Sequence, residues 1–586
     1  MLNRSIAYTC LALALGVTAC TAIYDQNATQ CTSQKDCLDR GPDFAGTTCT
    51  AARVCEKIKV EEKACTTNQQ CIDQNGGAGS TWTCRKSDNR CINLVSPSCQ
   101  RVLADTTDLL DDNVVIIGAT LPRDENGRQS EFAFELARQE IKGLGGLPPA
   151  TPTGPRRPLV IVSCTGEHES IANGTSQFLH LADEVQTPFV AGPFTSQLAV
   201  LGATLLAARN VLTVSSNASI QLTNLDDHDL VFRTQMSDDL AVQGATPFIK
   251  DYILPNAVSS GMLTAGEPLK VMVLATSDPP GQSITDSINR NLKFNDKNTV
   301  DNLQDGNFAI AQVGNPSDPI GHPYPEAERA KGVQQAIDYK PNLVIFPGTP
   351  IGVLNGTQIL GGDTGFLALS RTWKVAYGDP PSVPLPYTMT VISGWAGTIV
   401  PLMAQLNAQG LPFGTAARQK YFGLRGRAYN FDPKVFGAFV LKIKGPQGFE
   451  SLRNAQLTPL VAMSYSRIYM FAYALAAIGN APVKGPELSR GLRRVAGAGG
   501  GKTINAGPDD FSVALGELAA GRDISLVGPD GLYAFDEKGD RPGQIEVFCV
   551  SKQPKTLALA PVSPGYAWDP KTNTSKGPMQ CVDATE

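Results

Sequence analysis

Histidine is scarce in this chain: His168, His180, His228 and His322 are the only four, and they are scattered without ligand spacing. That distribution argues against a histidine-based metal centre. There is no G-x-S-x-G elbow and no Cys–His arrangement of a thiol enzyme, so the motifs of nucleophilic catalysis are missing. Charge is low, at 18% of residues with a net −5, and it forms no basic stripe. Nucleic acid is therefore excluded as an expected partner. Beyond the first twenty residues no segment is expected to cross a membrane. Acidic pairs such as Asp124-Glu125 and Asp536-Glu537 sit beside glycines and read as solvated faces. The chain is expected to be non-catalytic, with no cofactor and no metal.

The N-terminus carries the first positive signal. Arg4 precedes an apolar run from Ile6 to Val17, and small residues lead to a cysteine in Val17-Thr18-Ala19-Cys20. The run is shorter than the roughly 20 residues a spanning helix needs, so it reads as a cleaved targeting segment, residues 1–19. The cysteine after it matches a bacterial lipoprotein cleavage site. Cys20 is then expected to carry lipid and anchor the chain in the periplasm or cell envelope. Thr21 in place of an aspartate weakly favours the outer membrane.

Cysteine usage is uneven. Eight of the fourteen cysteines lie between Cys31 and Cys91. Cys31, Cys37, Cys49 and Cys55 give C-x5-C-x11-C-x5-C, and Cys65, Cys71, Cys84 and Cys91 give C-x5-C-x12-C-x6-C. Cys31-Thr-Ser-Gln34 is echoed by Cys65-Thr-Thr-Asn68, so the region is an internal repeat. Little aliphatic sequence separates these cysteines, and such units need covalent closure. Each is expected to hold two disulfides, with three connectivities open. Zinc is the rival reading, weakened by the five- and six-residue spacings and the lack of a nearby histidine. Residues 20–100 are expected to form a two-repeat, cysteine-rich stalk.

From Asp112 the texture becomes α/β. Val114–Ala119 is a continuous apolar run, the mark of a strand buried on both faces. A helix capped by Ser130 is expected next. Then come strand Leu159–Ser163, a helix through Phe178 and Leu181, strand Pro188–Gly192, helix Ser196–Arg209 and strand Val211–Ser215. A second series runs from Lys270 to Phe346, and a long helix is expected over Ala462–Ile478. Two series of alternating strands and helices predict two Rossmann-like lobes with parallel sheets.

Two glycine-containing turns invite a chemical reading. Ala496-Gly-Ala-Gly-Gly-Gly-Lys502-Thr503 satisfies a loose phosphate-loop pattern. It follows a charged helix rather than a strand, so it reads as a flexible loop. Gly192-Pro-Phe-Thr-Ser196 instead joins a buried strand to a helix start, where free amides and the helix dipole favour an anion. Val214-Ser-Ser-Asn-Ala-Ser219 ends the next strand in small hydroxyl residues. Parallel strands end on one side, so Ser196 and Ser219 are expected to line one crevice. The alternative is that both only cap helices.

These segments, in this order, resemble the type I periplasmic binding proteins, particularly the branched-chain amino-acid binding branch. The resemblance rests on Ile116–Thr120 with Phe132–Gly146, Thr187–Ser219, Val231–Thr234 with Asp239–Ile253, Leu269–Leu292, Pro341–Gly348, and Gly528–Gly539. It covers about residues 112–562. It implies two lobes joined by three crossovers that close on a ligand like a hinged trap. The lobes would comprise 112–238 and 396–525 for the first, and 239–395 and 526–562 for the second, with a tail at 563–586. Ligand-binding residues carried over are Ser196 and Ser219, with Thr195 and the groups around Asn217 beside them. Thr349 and Ser393 would stand on the second-lobe side. No acidic partner for a ligand ammonium is evident there, where Ile392-Ser-Gly-Trp395 lies. The aromatics of the family near Pro280 and Thr349 are missing, which puts an amino-acid ligand in doubt.

The resemblance implies a lipid-anchored solute-binding protein that holds a small polar or carboxylate ligand, with an ABC permease as partner. The rival is an envelope lipoprotein that docks another protein, like a peptidoglycan-synthase activator. The family's partner for Cys164 is absent near Thr195. Cys164 ends the second strand, beside the first strand that Cys99 precedes, so a Cys99–Cys164 bridge is expected. Cys549–Cys581 is expected to pin the tail.

Overall fold

Short runs rich in valine and isoleucine without a polar face suit strands covered on both sides, and Val115–Leu121, Leu159–Thr165 and Leu343–Pro347 are buried almost throughout. The computed structural model describes residues 31–581 apart from 34–35, 38–46, 51–52, 58–63, 78, 152, 167–169, 195, 277–278, 314–325, 348–364, 392–418, 446–447, 456, 458, 498, 553–558 and 580. Cys20, Thr195, Thr349 and Ser393 lie outside the described residues. The chain divides into two compact units, Met1–Lys63 and Ala64–Glu586.

In the first unit, Thr47–Cys49 pairs antiparallel with Cys55–Lys57, placing Cys49 opposite Cys55. Disulfides join Cys31 to Cys49 and Cys37 to Cys55. The second unit opens on the other repeat. Its helix Asn68–Gln74 starts in a capping box between Thr67 and Gln70, and a hairpin pairs Trp82–Arg85 with Arg90–Asn93. Cys65 is joined to Cys84 and Cys71 to Cys91. Both repeats thus bond first to third and second to fourth cysteine. Replacing Cys71 and Cys91 by serine should remove about 3 kcal/mol, as expected for closing a loop of this size; chemical denaturation of the pure protein reads it.

The second repeat is not a stalk. Ile72, Ile92 and Leu94 share one apolar core with Val160, Val162, Phe178 and Leu181. Arg85 Nη1 donates to the Glu184 carbonyl at 2.7 Å, Ser87 Oγ to Gln186 Oε1 at 2.6 Å, and the His180 ring meets the Leu94 carbonyl at 2.9 Å. A unit with so few aliphatic residues gains a core by borrowing a face of the neighbouring sheet.

That neighbour is an α/β lobe. Its strands run Val231–Arg233, Leu212–Ser215, Phe189–Ala191, Val115–Leu121, Leu159–Thr165, with Arg101–Leu103 as the one antiparallel edge. The second lobe repeats the order: Phe308–Val313, Val271–Thr276, Leu343–Pro347, Tyr387–Val391, Tyr421–Ala428, then Gly543–Lys552 antiparallel. Disulfides join Cys99 to Cys164 and Cys549 to Cys581. Both parallel sheets reverse direction of winding beside their first strand, which is where doubly wound folds open a crevice.

Several expected limits shift. Tyr421–Ala428, expected in the first lobe, belongs to the second sheet, and it is after Ala428 that the described chain passes to the first lobe. Residues beyond 562 are not a bare tail: Ala567–Asp569 and Thr574–Lys576 extend the second sheet, and Tyr566 and Trp568 are buried in its core. The helix expected to start at Ser130 runs Glu125–Gly143, with Asp124 as the N-cap accepting from the Gly127 amide at 2.9 Å; Asp124 is a cap and not a solvated face. Helix Pro459–Ala477, 19 residues, is long and apolar enough to cross a membrane, yet every residue from Val461 to Leu475 is buried inside the protein. It is the central helix of the first lobe's core. Its Tyr465 and Tyr469 hydroxyls donate to Glu140 Oε2 at 2.5 and 2.8 Å, and burial together with the Glu140 charge pushes both phenols well above their ordinary range.

Candidate functional site

Among the described residues the chain passes between lobes three times. Arg233 ends a first-lobe strand and leads to helix Asp238–Phe248, which packs in the second lobe's core. Ala428 ends a second-lobe strand and leads back to helix Pro433–Lys444 of the first lobe. The segment after Phe535 returns to strand Gly543–Lys552. The first two passages start from C-terminal strand ends, so the C-terminal edges of both sheets flank the hinge. Ligands bind at that edge in open parallel sheets.

On the first-lobe side two loops interlock there. Ser215 Oγ donates to the Pro193 carbonyl at 2.5 Å and accepts from the Asn217 amide at 3.0 Å. Asn217 Nδ2 donates to the Phe194 carbonyl at 3.1 Å, and Asn217 Oδ1 accepts from the Ser219 amide at 2.8 Å. The loop bearing Ser219 is thereby fastened to the loop that leads into helix Ser196–Ala207. Asn217 uses its side chain for that fastening. Ser219 caps the short helix Ile220–Thr223, accepting from the Gln221 amide at 3.4 Å, a long contact that leaves the hydroxyl weakly held.

Sequence reasoning missed two neighbouring groups. Thr120 Oγ1, at the end of the first strand, and Ser216 Oγ, in the loop after strand Leu212–Ser215, are buried and make no hydrogen bond. A buried hydroxyl without a partner loses roughly 1–3 kcal/mol relative to a satisfied one. Thr120 lies against Gly192, whose φ is +149° and where a Cβ would stand 2.2 Å from Thr120 Oγ1. Only glycine fits that approach. Arg467 lies just beneath, fully buried. Its guanidinium stands over the Phe194 and Phe134 rings, 4.4 and 5.5 Å from their centroids, and its Nη1 reaches the Val214 carbonyl at 3.4 Å. An arginine inside an apolar helix carries no periodicity signal, so the sequence offered no way to place it at the strand ends.

The hinge itself is polar and tightly packed. Arg541 and Asp530 form an ion pair with side-chain exposures of 0% and 2%. Arg541 also donates from Nη1 to the Thr234 carbonyl at 3.0 Å and from Nε to the Leu532 carbonyl at 2.9 Å. The Leu532 amide in turn donates to the Tyr429 carbonyl at 2.8 Å, so one arginine ties all three passages. Tyr533 donates to both Asp530 oxygens at 2.7 and 2.9 Å, and burial beside that carboxylate raises its phenol well above the usual value. Met236, in the first passage, packs against Gly426 and Gly543, where an added Cβ would lie 2.9 and 2.0 Å from its sulfur.

The glycine-rich turn at Ala496 adds nothing resembling a phosphate loop. Helix Gly485–Ala496 precedes it and strand Lys502–Asn505 follows, the reverse of the order that converges amides on phosphate.

No protein-family model and no curated protein matches the chain. Among solved structures, it is similar to a leucine-binding protein, LivK, from Thermotoga maritima, at 12% identity and TM-score 0.48, covering 78% of this chain and 100% of that one. It is also similar to the branched-chain amino-acid transporter substrate-binding protein LivJ of Streptococcus pneumoniae in complex with isoleucine, at 13% identity and TM-score 0.46, covering 77% and 100%. A solute-binding protein of an R. palustris ABC transporter, in complex with benzoate, is similar at 12% identity and TM-score 0.47, covering 77% and 96%.

Proposed function

We propose that this protein is a non-catalytic, lipid-anchored extracytoplasmic solute-binding protein, holding a small polar or carboxylate ligand between its lobes for an ABC permease. The observation that carries the reading is the pair of buried, unpartnered hydroxyls, Thr120 Oγ1 and Ser216 Oγ, at the C-terminal strand ends of the first lobe. Buried polar groups are ordinarily satisfied, and a ligand oxygen would satisfy these. The repeated strand order and the three passages beside the same sheet edges support the reading. Ser196 and Ser219 would hold the carboxylate, with Thr195 and the amides around Asn217, while Thr349 and Ser393 would face them. Cys20 would carry the lipid, and the six disulfides suit an oxidising envelope compartment.

Native mass spectrometry of protein purified without dialysis tests this. A retained small-molecule mass is expected, and it should be lost on denaturation. A clean apo mass, together with capture of one stoichiometric envelope protein, would favour the docking role instead. Once the ligand is known, Ser219→Ala should weaken its binding by roughly 1.5–3 kcal/mol, the range for hydrogen bonds to a charged group. Calorimetric titration measures it, with thermal unfolding as control because the variant also removes a helix cap.

A further inference from the structure

We propose that Arg233 is a positioning residue that couples the strand-end loop bearing Ser219 to the third inter-lobe passage, so that loop and hinge change conformation together. This rests on the strand-end loop being the ligand contact. Arg233 closes the last parallel strand of the first lobe, and its side chain is 1% exposed. Its guanidinium divides between two segments remote in sequence. Nη1 donates to the Ser219 carbonyl at 2.6 Å. Nε and Nη2 donate to the two Asp540 oxygens at 2.5 and 2.6 Å. Thr223 completes the unit: its Oγ1 accepts from Nη2 and donates to Asp540 Oδ2 at 2.8 Å.

Asp540 is itself held in place. Its amide donates to Asp536 Oδ1 at 2.9 Å, and the Arg233 amide donates to the Gly539 carbonyl at 3.0 Å. Asp540 is followed by Arg541, whose contacts tie all three passages. The path from the Ser219 carbonyl to the hinge is therefore one guanidinium and one residue of backbone. A planar fork with fixed donor directions transmits a displacement at one acceptor to the others. A ligand that shifts the loop by a few tenths of an ångström must reorient the fork or move Asp540. Coupling of this kind is reciprocal: hinge closure sets the loop as much as the loop biases closure.

Hydrogen exchange of the full chain, read by mass spectrometry on wild type and Asp540→Asn, tests the proposal without any ligand. Asparagine keeps the shape of Asp540 but offers a single acceptor oxygen to the fork. Exchange is expected to rise tenfold or more in both residues 216–224 and 536–543, as linked local opening requires. Arg233→Lys, which keeps the charge and loses the fork, should raise the same two segments by a smaller factor. A rise confined to 536–543, with 216–224 unchanged, would overturn the coupling. If Asp540→Asn does not fold, Thr223→Val removes only one hydroxyl and should raise both segments about threefold; a rise limited to the valine's own helix again overturns it. The result separates cleanly from the binding reading. An apo mass with linked exchange leaves the clamp and removes the ligand, whereas a retained ligand with unlinked exchange removes the clamp alone.

Discussion

Arg541→Met is expected to destabilise the protein by about 3–5 kcal/mol, the cost of leaving one member of a buried ion pair without its partner. Asp530 would remain almost fully inside the protein, 2% exposed, with the Tyr533 hydroxyl and, at 3.5 Å, the Ser466 hydroxyl as the donors left to its carboxylate. The Thr234 and Leu532 carbonyls would also lose their donors. At about 1 °C per kcal/mol for a cooperative unit of the size of Ala64–Glu586, the midpoint of thermal unfolding should fall by about 3–5 °C. Adding Asp530→Leu should restore part of the loss, because the uncompensated charge disappears while the two carbonyls stay unsatisfied. Circular dichroism melts of the two variants measure both effects. A single variant within about 1 kcal/mol of wild type would mean that the hinge arginine is hydrated and not the tie described above.

Gly192→Ala is expected to lower stability by about 1–3 kcal/mol and to abolish retention of any bound ligand. Its φ of +149° is a conformation that side-chain-bearing residues rarely take. The new methyl would stand 2.2 Å from Thr120 Oγ1 and 3.0 Å from the Thr120 carbonyl, so either the strand end or the loop must move. Both carry the candidate site. Combining it with Thr120→Ala removes the nearest clash and should recover stability in part, since the carbonyl contact and the backbone strain persist. Ligand retention should stay lost in the double variant, because the hydroxyl itself is gone. Denaturant titration and native mass spectrometry of the same samples decide the matter; a Gly192→Ala protein as stable as wild type and still loaded would refute the assignment of this approach.

The parallel sheets were legible because buried strands have no polar face to disguise them. Val115–Leu121 and Leu343–Pro347 stand out as apolar runs in any context, and a helix between two such runs leaves little choice but a parallel sheet. The cysteine repeats were legible as closed units for the opposite reason, having too little apolar sequence to fold otherwise. Which cysteines bond within a unit was not legible from spacing; the hairpins decided it, by bringing Cys49 opposite Cys55 and Cys84 opposite Cys91. These cross-strand neighbours are each bonded elsewhere.

The sequence by itself determined the two series of strands and the first-lobe turns that carry Ser196 and Ser219. Each follows from local chemistry, either residue pattern or turn composition; that position 192 admits only glycine was decided by its contact with Thr120 in the folded lobe. Only the tertiary structure decided that the second cysteine repeat belongs to the first lobe, that residues beyond 562 complete the second sheet, and that Arg233, Arg467 and Arg541 gather at the strand ends and hinge. Arg233 and Asp540 are 307 positions apart. No periodicity reports a contact over such a span, because it is set by which faces pack together and by where the chain crosses between lobes.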